Sequence, residues 1–460
     1  MVTINDLETL EQYIRDSIEA NQLEELGNLL SDEHPVDIAD AIDRLDEDQQ
    51  VLVFQLLPQE QAAEVLGATS ADATRKLIAQ LPRDLAGDLL ETMPSDDAAE
   101  ILSEDVPDQQ HVLLEAMERE EADEVRNLLR YPPQSAGRLM TEKFVHVSAD
   151  MTAAQTLDHL RQIDPEVETI SNLYVLDTTR HLQGVVTLRE IITNSQEQPL
   201  SSFMLTEPIT VTPEIDQEEV ARLVSQYDLL SLPVVSPEGC MLGIITVDDV
   251  IDVLVEEGTE DVLRFGGVEG GSADETYFST PIWRAVRRRV GWLMLLFLTG
   301  TLTINVLGFF ETALSQVVAL SFFIPLLIGT GGNTGAQTVS TIIRGMALGE
   351  IRKRDALKVT FRELASGLLL GTLLGLIAFG LALFIGNTID PDNRIRLAGV
   401  VGLSIVAICT WSNVIGALVP LGAKKLKLDP ALVSAPMITT LVDASGLAIY
   451  MLIAKALLGI

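Results

Sequence analysis

From Pro281 onward the chain holds five apolar stretches, near 290–310, 314–343, 364–386, 397–421 and 431–459. Each is long enough to cross the ~30 Å of bilayer hydrocarbon. Their connections set the orientation. Arg344, Arg352, Lys353, Arg354 and Lys358 flank the second loop, and Lys424, Lys425 and Lys427 the fourth. The first loop carries only Glu311, and the third mixes Asp390 and Asp392 with Arg394 and Arg396. Lys and Arg concentrate on the cytoplasmic side, so an odd number of spans places the N-terminus inside and the C-terminus outside. The expectation is a multi-pass protein of the cell (inner) membrane, with the lipid bilayer as a partner.

The charge is divided as sharply as the hydropathy. Residues 281–460 carry 16 Lys/Arg against 8 Asp/Glu, a balance of +8. The first 280 carry 15 against 59, a balance of −44. Such a half repels phosphates, which argues against a nucleic-acid partner and suits neutralisation by cations. Cys240 and Cys409 form no metal-binding spacing, and all five histidines lie in the acidic half. No signal peptide is read in the polar segment Met1–Glu25, so the acidic half is expected in the cytoplasm.

Between about Asp6 and Arg130 short amphipathic helices alternate with Leu57-Pro58, Leu81-Pro82, Met93-Pro94 and Val106-Pro107. A linker, Tyr131-Pro132-Pro133, follows. Two segments then repeat a β-α-β-β-α texture over roughly sixty residues. The first has Phe144–Val147, a helix from Ala153, a strand Leu173–Leu176 and Gly184-Val185-Val186-Thr187-Leu188-Arg189-Glu190. The second has Ile209–Val211, a helix from Gln217, a strand Leu232–Val235 and Gly243-Ile244-Ile245-Thr246-Val247-Asp248-Asp249. The pair resembles tandem CBS domains. That resemblance makes Thr187, Glu190, Thr246 and Asp249 candidate contacts for an adenine nucleotide such as ATP.

In the apolar half Asp443 stands in the middle of the last stretch, without Lys or Arg within a helical turn or two. A carboxylate there must face water, an ion or a partner. Pro436, Thr439, Thr440, Asp443 and Gly446 share its face at spacings of 3 or 4. The second stretch carries Pro325 and Gly329-Thr330-Gly331-Gly332-Asn333-Thr334-Gly335, which predicts a broken helix with free carbonyls or closely packed backbones. Asn413, beside Trp411 and Ser412, adds an amide. Gly332, Asn333, Asn413 and Thr439 are therefore expected to line a pore with Asp443. Oxygen donors without thiolate or imidazole suit Mg²⁺ or Ca²⁺. Gly367, Gly371 and Gly375 at spacing 4 are read as helix-packing contacts.

The fold class is thus a multi-domain membrane protein. An acidic α-helical superhelix occupies 1–133, two α/β CBS domains 134–200 and 201–254, a connecting helix and linker 255–281, and an all-α domain of five membrane helices 282–460. This order, with Gly329–Gly335, Asp216–Arg222, Thr246–Val250, Thr259–Asp261, Asp429–Ser434 and Thr440–Asp443, resembles the MgtE family of magnesium channels. The resemblance implies a homodimer, hydrated Mg²⁺ held at Asp443, and a plug helix, of which Asp252–Asp261 is part, that closes the cytoplasmic mouth. It departs at Ala336 and Ala435, where the family tends to have Asn.

A non-enzymatic channel or transporter that imports Mg²⁺ is expected. Mg²⁺ would also close it, by bridging acids that otherwise repel. The candidate regulatory ligands are Asp216, Glu218, Asp228, Asp249, Asp252, Glu257, Glu260 and Asp261, with Asp96 and Asp97. Two alternatives are a transporter of broader divalent range (Co²⁺, Mn²⁺, Ca²⁺) and a membrane-anchored CBS nucleotide sensor.

Overall fold

The computed structural model describes residues 7–163, 167–270, 280–347, 349–389, 391–426 and 435–459. Asp390, Lys427, the stretch Asp429–Ser434 and residues 271–279 of the connecting segment lie outside the described residues. The chain divides into two units, one up to Glu257 and one from Gly258 onward.

In the first unit short helices run from Leu7–Glu19 to Arg119–Leu128. Proline sets where several of them begin. Pro58, Pro82 and Pro94 immediately precede Gln59–Ala68, Arg83–Thr92 and Ser95–Glu100, with φ of −58°, −56° and −52°. The ring fixes that angle and the missing N–H is not needed at a helix entry. Packing skips a neighbour. Pro35–Ile42 packs on Gln59–Ala68, which packs on Arg83–Thr92, while Glu47–Phe54 packs on Ala71–Gln80. Each helix is too short to bury its stripe alone, and the stacked rows enclose Leu30, Ile42, Leu66, Leu77 and Leu90.

The two repeats follow. In the first, β1 (His146–Val147) is parallel to β2 (Asn172–Leu176), and β2 is antiparallel to β3 (Leu182–Thr187). In the second, β4 (Ser231–Val235) pairs antiparallel with β5 (Met241–Thr246), Pro233 opposite Ile244. The second repeat differs at 209–211, which forms a single bridge, Val211 to Val234, instead of a strand. Pro208 and Pro213 flank that segment. The helices Ala153–Leu160 and Gln217–Tyr227 begin where the pattern places them.

Of the Gly-hydrophobic-hydrophobic-Thr-x-x-acid endings the first is a capping box, and in the second the acid accepts from the threonine at the helix entry. Thr187 N and Oγ1 both donate to Glu190 Oε2 (2.9 and 2.8 Å), and Glu190 N donates back to Thr187 Oγ1 (3.2 Å). Thr246 N and Oγ1 donate to Asp249 Oδ2 (3.2 and 2.5 Å). Thr246→Ala is expected to cost about 1 kcal/mol. A thermal melt of the full chain in detergent, followed by a cytosolic-half probe, checks it. The helix beyond Thr246 runs unbroken from Val247 to Phe265. The boundary expected at 254 therefore falls inside a helix, because no proline interrupts it and a single Gly258 does not suffice.

Among the described residues, the second unit contains five helices long and apolar enough to cross a membrane: Ile282–Phe309, Val318–Ala347, Ala356–Ile389, Arg394–Lys425 and Ala435–Leu458. Here they are the first to fifth membrane helices. The third lies along the fourth, and the second, fourth and fifth pack mutually. Small residues set the closest approach. A Cβ on Gly371 would lie 2.8 Å from the Val406 carbonyl, and one on Gly375 2.7 Å from that of Gly402. Gly371→Ala should lower the bundle's melting temperature in detergent, an overpacking effect of about 1–3 kcal/mol.

Candidate functional site

Acidic or polar side chains gather within each unit. In the first unit the helix Ser95–Glu100 carries Asp96 and Asp97 in its first turn. They line a cleft of about 180 Å³ with Glu100, Gln134, Arg138, Gln217, Asp249, Asp252 and Glu256. Gln217 is held there by donating to Glu256 Oε2 (3.2 Å) and Glu257 Oε1 (2.8 Å). The fold thus brings four sequence candidates, Asp96, Asp97, Asp249 and Asp252, to one cleft from segments about 150 residues apart.

These carboxylates disfavour one another's charge. Burial, then Asp249 and Asp97, push Asp96 well above the usual carboxylate range. Burial, then Asp249, Glu168, Asp252 and Asp248, push Asp97 up to about 7. Burial raises Asp249 and Glu168 as well, and their acidic neighbours add to it. Desolvation and like charge act in the same direction, so the cleft seeks protons or cations. No group of three His, Cys, Asp or Glu among the described residues is arranged to hold a metal ion directly.

The other regulatory candidates lie elsewhere. Asp216 caps the helix Gln217–Tyr227, its Oδ1 accepting from Glu218 N (3.0 Å), and Glu218 follows in the first turn. Asp228 closes the same helix in the left-handed conformation, φ 52°. Glu257 accepts from Gln217, and Glu260 and Asp261 continue the helix Val247–Phe265. Glu100 and Glu256 line the cleft without having been sequence candidates, and Glu168, whose charge bears on Asp96 and Asp97, was not one either. Glu100 and Glu256 fall one turn from Asp97 and Asp252, a spacing that could have found them. Glu168 has no such signal.

In the second unit Asp443 is half-buried on the fifth membrane helix. Facing it is Gly332, where an added Cβ would lie 3.6 Å from Asp443 Oδ1 and 3.3 Å from Thr439 Cγ2. The glycine-rich segment is not a break. It lies inside the helix Ile324–Ala347, and Pro325 sits at its second position, where proline is tolerated. Its carbonyls belong to the helical ladder, so free carbonyl ligands are not what the glycines provide. They provide close approach: Cβ atoms on Gly331 and Gly335 would lie 2.6 Å from Ile408 and 2.9 Å from Ile438.

Asn333 is exposed on this helix, as are Gln337, Ser340 and Arg344 at helical spacing. That stripe is polar where a lipid-facing surface would be apolar. Asn413 departs from its expected place. It is 1% exposed, enclosed among the second, third and fourth membrane helices by hydrogen bonds to Thr338 and Glu363. Ala336 and Ala435, the two departures from the family pattern, line one open pocket of about 570 Å³ with Phe265, Gln337, Ser340 and Thr341.

Both halves match known proteins in the same order. Residues 33–134 match the MgtE intracellular N domain, 136–197 and 200–256 the CBS domain, and 324–453 the MgtE divalent cation transporter family. The magnesium transporter MgtE of Thermus thermophilus is 37% identical over 457 residues, covering 98% of this chain and 99% of that one. The chain belongs to the MgtE family of magnesium transporters.

The MgtE of Bacillus subtilis is 36% identical over 337 residues, 73% of this chain and 72% of its own length. A crystal structure of the cytosolic domain of the Mg²⁺ channel MgtE in complex with ATP covers 53% of this chain and 100% of that one, with 34% identity and a TM-score of 0.51. The soluble part of a magnesium transporter covers 55% at 29% identity, TM-score 0.50. This MgtE family member is accordingly a membrane transporter of divalent cations and not an enzyme.

Proposed function

We propose that this chain imports Mg²⁺ along a path lined by the second and fifth membrane helices of a homodimer, and that Mg²⁺ on the cytoplasmic side closes it. The acidic cleft carries the regulatory part of this reading. Asp96, Asp97, Asp249 and Asp252 are pressed together at a cost that protons or a divalent cation relieve. An ion that binds the packed arrangement more tightly than a loosened one shifts the population toward it. Asp216, Glu218, Asp228, Glu257, Glu260 and Asp261 are further acids on which bridging ions can draw.

In the membrane, Asp443 supplies one carboxylate per chain to a hydrated Mg²⁺, and its twin in the second copy supplies another. Gly332 keeps the space in front of it clear, and Thr439 and Asn333 add polar groups. Closed symmetric dimers are the commonest assembly, and the polar stripe Asn333, Gln337, Ser340, Arg344 is better satisfied against water and a second copy than against lipid. The N-terminus is cytoplasmic and the C-terminus outside in this reading, with the domain limits given above. ATP binds the CBS pair near Thr187, Glu190, Thr246 and Asp249, a reading supported by the ATP complex of the related cytosolic domain.

One observation favours a broader divalent range. Ala336 and Ala435 share one pocket, which Gln337 supplies with an amide and the two alanines do not. Uptake into proteoliposomes, with Mg²⁺, Ca²⁺ and Co²⁺ compared while internal Mg²⁺ is varied, tests both readings. Uptake indifferent to internal Mg²⁺ would overturn closure, and equal rates for the three ions would favour the broader range.

A further inference from the structure

Asn413 is the hub of a buried polar junction. Thr338 Oγ1, on the second membrane helix, donates to Asn413 Oδ1 at 3.0 Å. Asn413 Nδ2 donates to Glu363 on the third, to its carbonyl oxygen at 3.3 Å and to Oε2 at 3.2 Å. Asn413 and Thr338 are 1% and 6% exposed. A carboxylate accepts and does not donate, so Glu363 turns the amide nitrogen toward itself and leaves the amide oxygen for Thr338. The Glu363 backbone carbonyl accepts from the same nitrogen, so both acceptors of that residue set the direction of the bonds.

The junction sits where the helices have little slack. A Cβ on Gly416, three residues beyond Asn413, would lie 2.9 Å from the Gly335 carbonyl and 3.0 Å from Thr338 Cβ. Thr338 and Gly332 belong to one helix, six residues or about 9 Å apart along its axis. Gly332 is the surface that Asp443 and Thr439 face. We propose that Glu363 is a positioning residue for the ion path. Through Asn413 and Thr338 it fixes how the second membrane helix is seated against the fifth, and with it the preference for Mg²⁺ over larger ions. Glu363 stands at the edge of the apolar stretch 364–386, within the helix Ala356–Ile389, and its carboxylate reaches the buried amide of Asn413. This inference rests on Asp443 being the ion site.

The test is a set of four variants of the full chain in proteoliposomes, read as the ratio of Mg²⁺ to Ca²⁺ uptake. A ratio does not depend on how much protein folds. Glu363→Gln keeps an acceptor and should hold the ratio near that of the native chain. Glu363→Ala and Asn413→Asp should each lower it about fivefold or more, the scale of coupling within one hydrogen-bond network. Asn413→Asp sets two carboxylates against each other. Adding Glu363→Gln reverses the donor and acceptor, so the double variant should recover most of the loss.

A native ratio in Glu363→Ala, or no recovery in the double variant, overturns the proposal. If the Asn413 variants do not fold, the contrast between Glu363→Ala and Glu363→Gln decides it alone. Uptake that survives in Asp443→Ala would instead refute the underlying ion-site reading, an outcome distinct from either.

Discussion

Replacing Asp443 with Ala should lower Mg²⁺ uptake about 100-fold, equivalent to about 2.7 kcal/mol of lost stabilisation along the ion path. Asp443 is half-buried on the fifth membrane helix and faces Gly332 across a narrow gap. In apolar surroundings a carboxylate attracts a divalent cation far more strongly than it would in bulk water. Asp443→Asn keeps the shape and a carbonyl oxygen but removes the charge, and it should fall between Ala and the native chain. Gly332→Val should also block uptake, because its side chain would occupy the space in front of Asp443 and Thr439. Uptake measured in proteoliposomes at fixed membrane potential checks all three. Native rates in Asp443→Ala would place the ion path elsewhere.

The second large effect is on closure. Asp97→Asn combined with Asp249→Asn removes two charges from the cleft and should raise the internal Mg²⁺ needed for half-closure by about tenfold, or ~1.4 kcal/mol of coupling. Conversely, these substitutions should make the Mg²⁺-free cytosolic half more resistant to protease, because less repulsion remains. The pH dependence has a defined sign. In the packed half Asp97 lies near 7, above its ordinary value of 3.8, so the packed arrangement takes up protons relative to the unfolded chain. Without Mg²⁺ that contribution to stability is full below 3.8 and is lost as pH rises through about 7. Mg²⁺ must displace those protons, so closure should need less Mg²⁺ at pH 8 than at pH 6. Limited proteolysis at both pH values, with and without millimolar Mg²⁺, reads the effect.

Much of this was legible in the chain. Helix entries in the acidic half were marked by Pro58, Pro82 and Pro94, because proline's fixed φ acts locally. The two Thr-x-x-acid endings are likewise local, closing within one helical turn. Membrane spans follow from length and hydropathy alone, since hydrocarbon thickness sets a minimum that few other structures need. Asp443 stood out because a lone charge in an apolar run is rare and expensive. Gly371 and Gly375 were read as packing contacts from their spacing, and they are.

What the sequence could not decide was which distant residues meet. Asp96 and Asp97 share a cleft with Asp249 and Asp252 only because the stacked helices return the chain to the second repeat. Glycines 329 to 335 suggested either a broken helix or closely packed backbones, and the tertiary structure has an unbroken helix with close packing. Asn413 carried the same local signal as a pore amide, yet three helices close around it. Glu363 was not singled out in the sequence, and it is the fourth helix that brings an amide to it. Local backbone preference and span length act over a few residues and can be read from them. Charge repulsion, burial and hydrogen-bond direction act across space, so only the tertiary structure settles them.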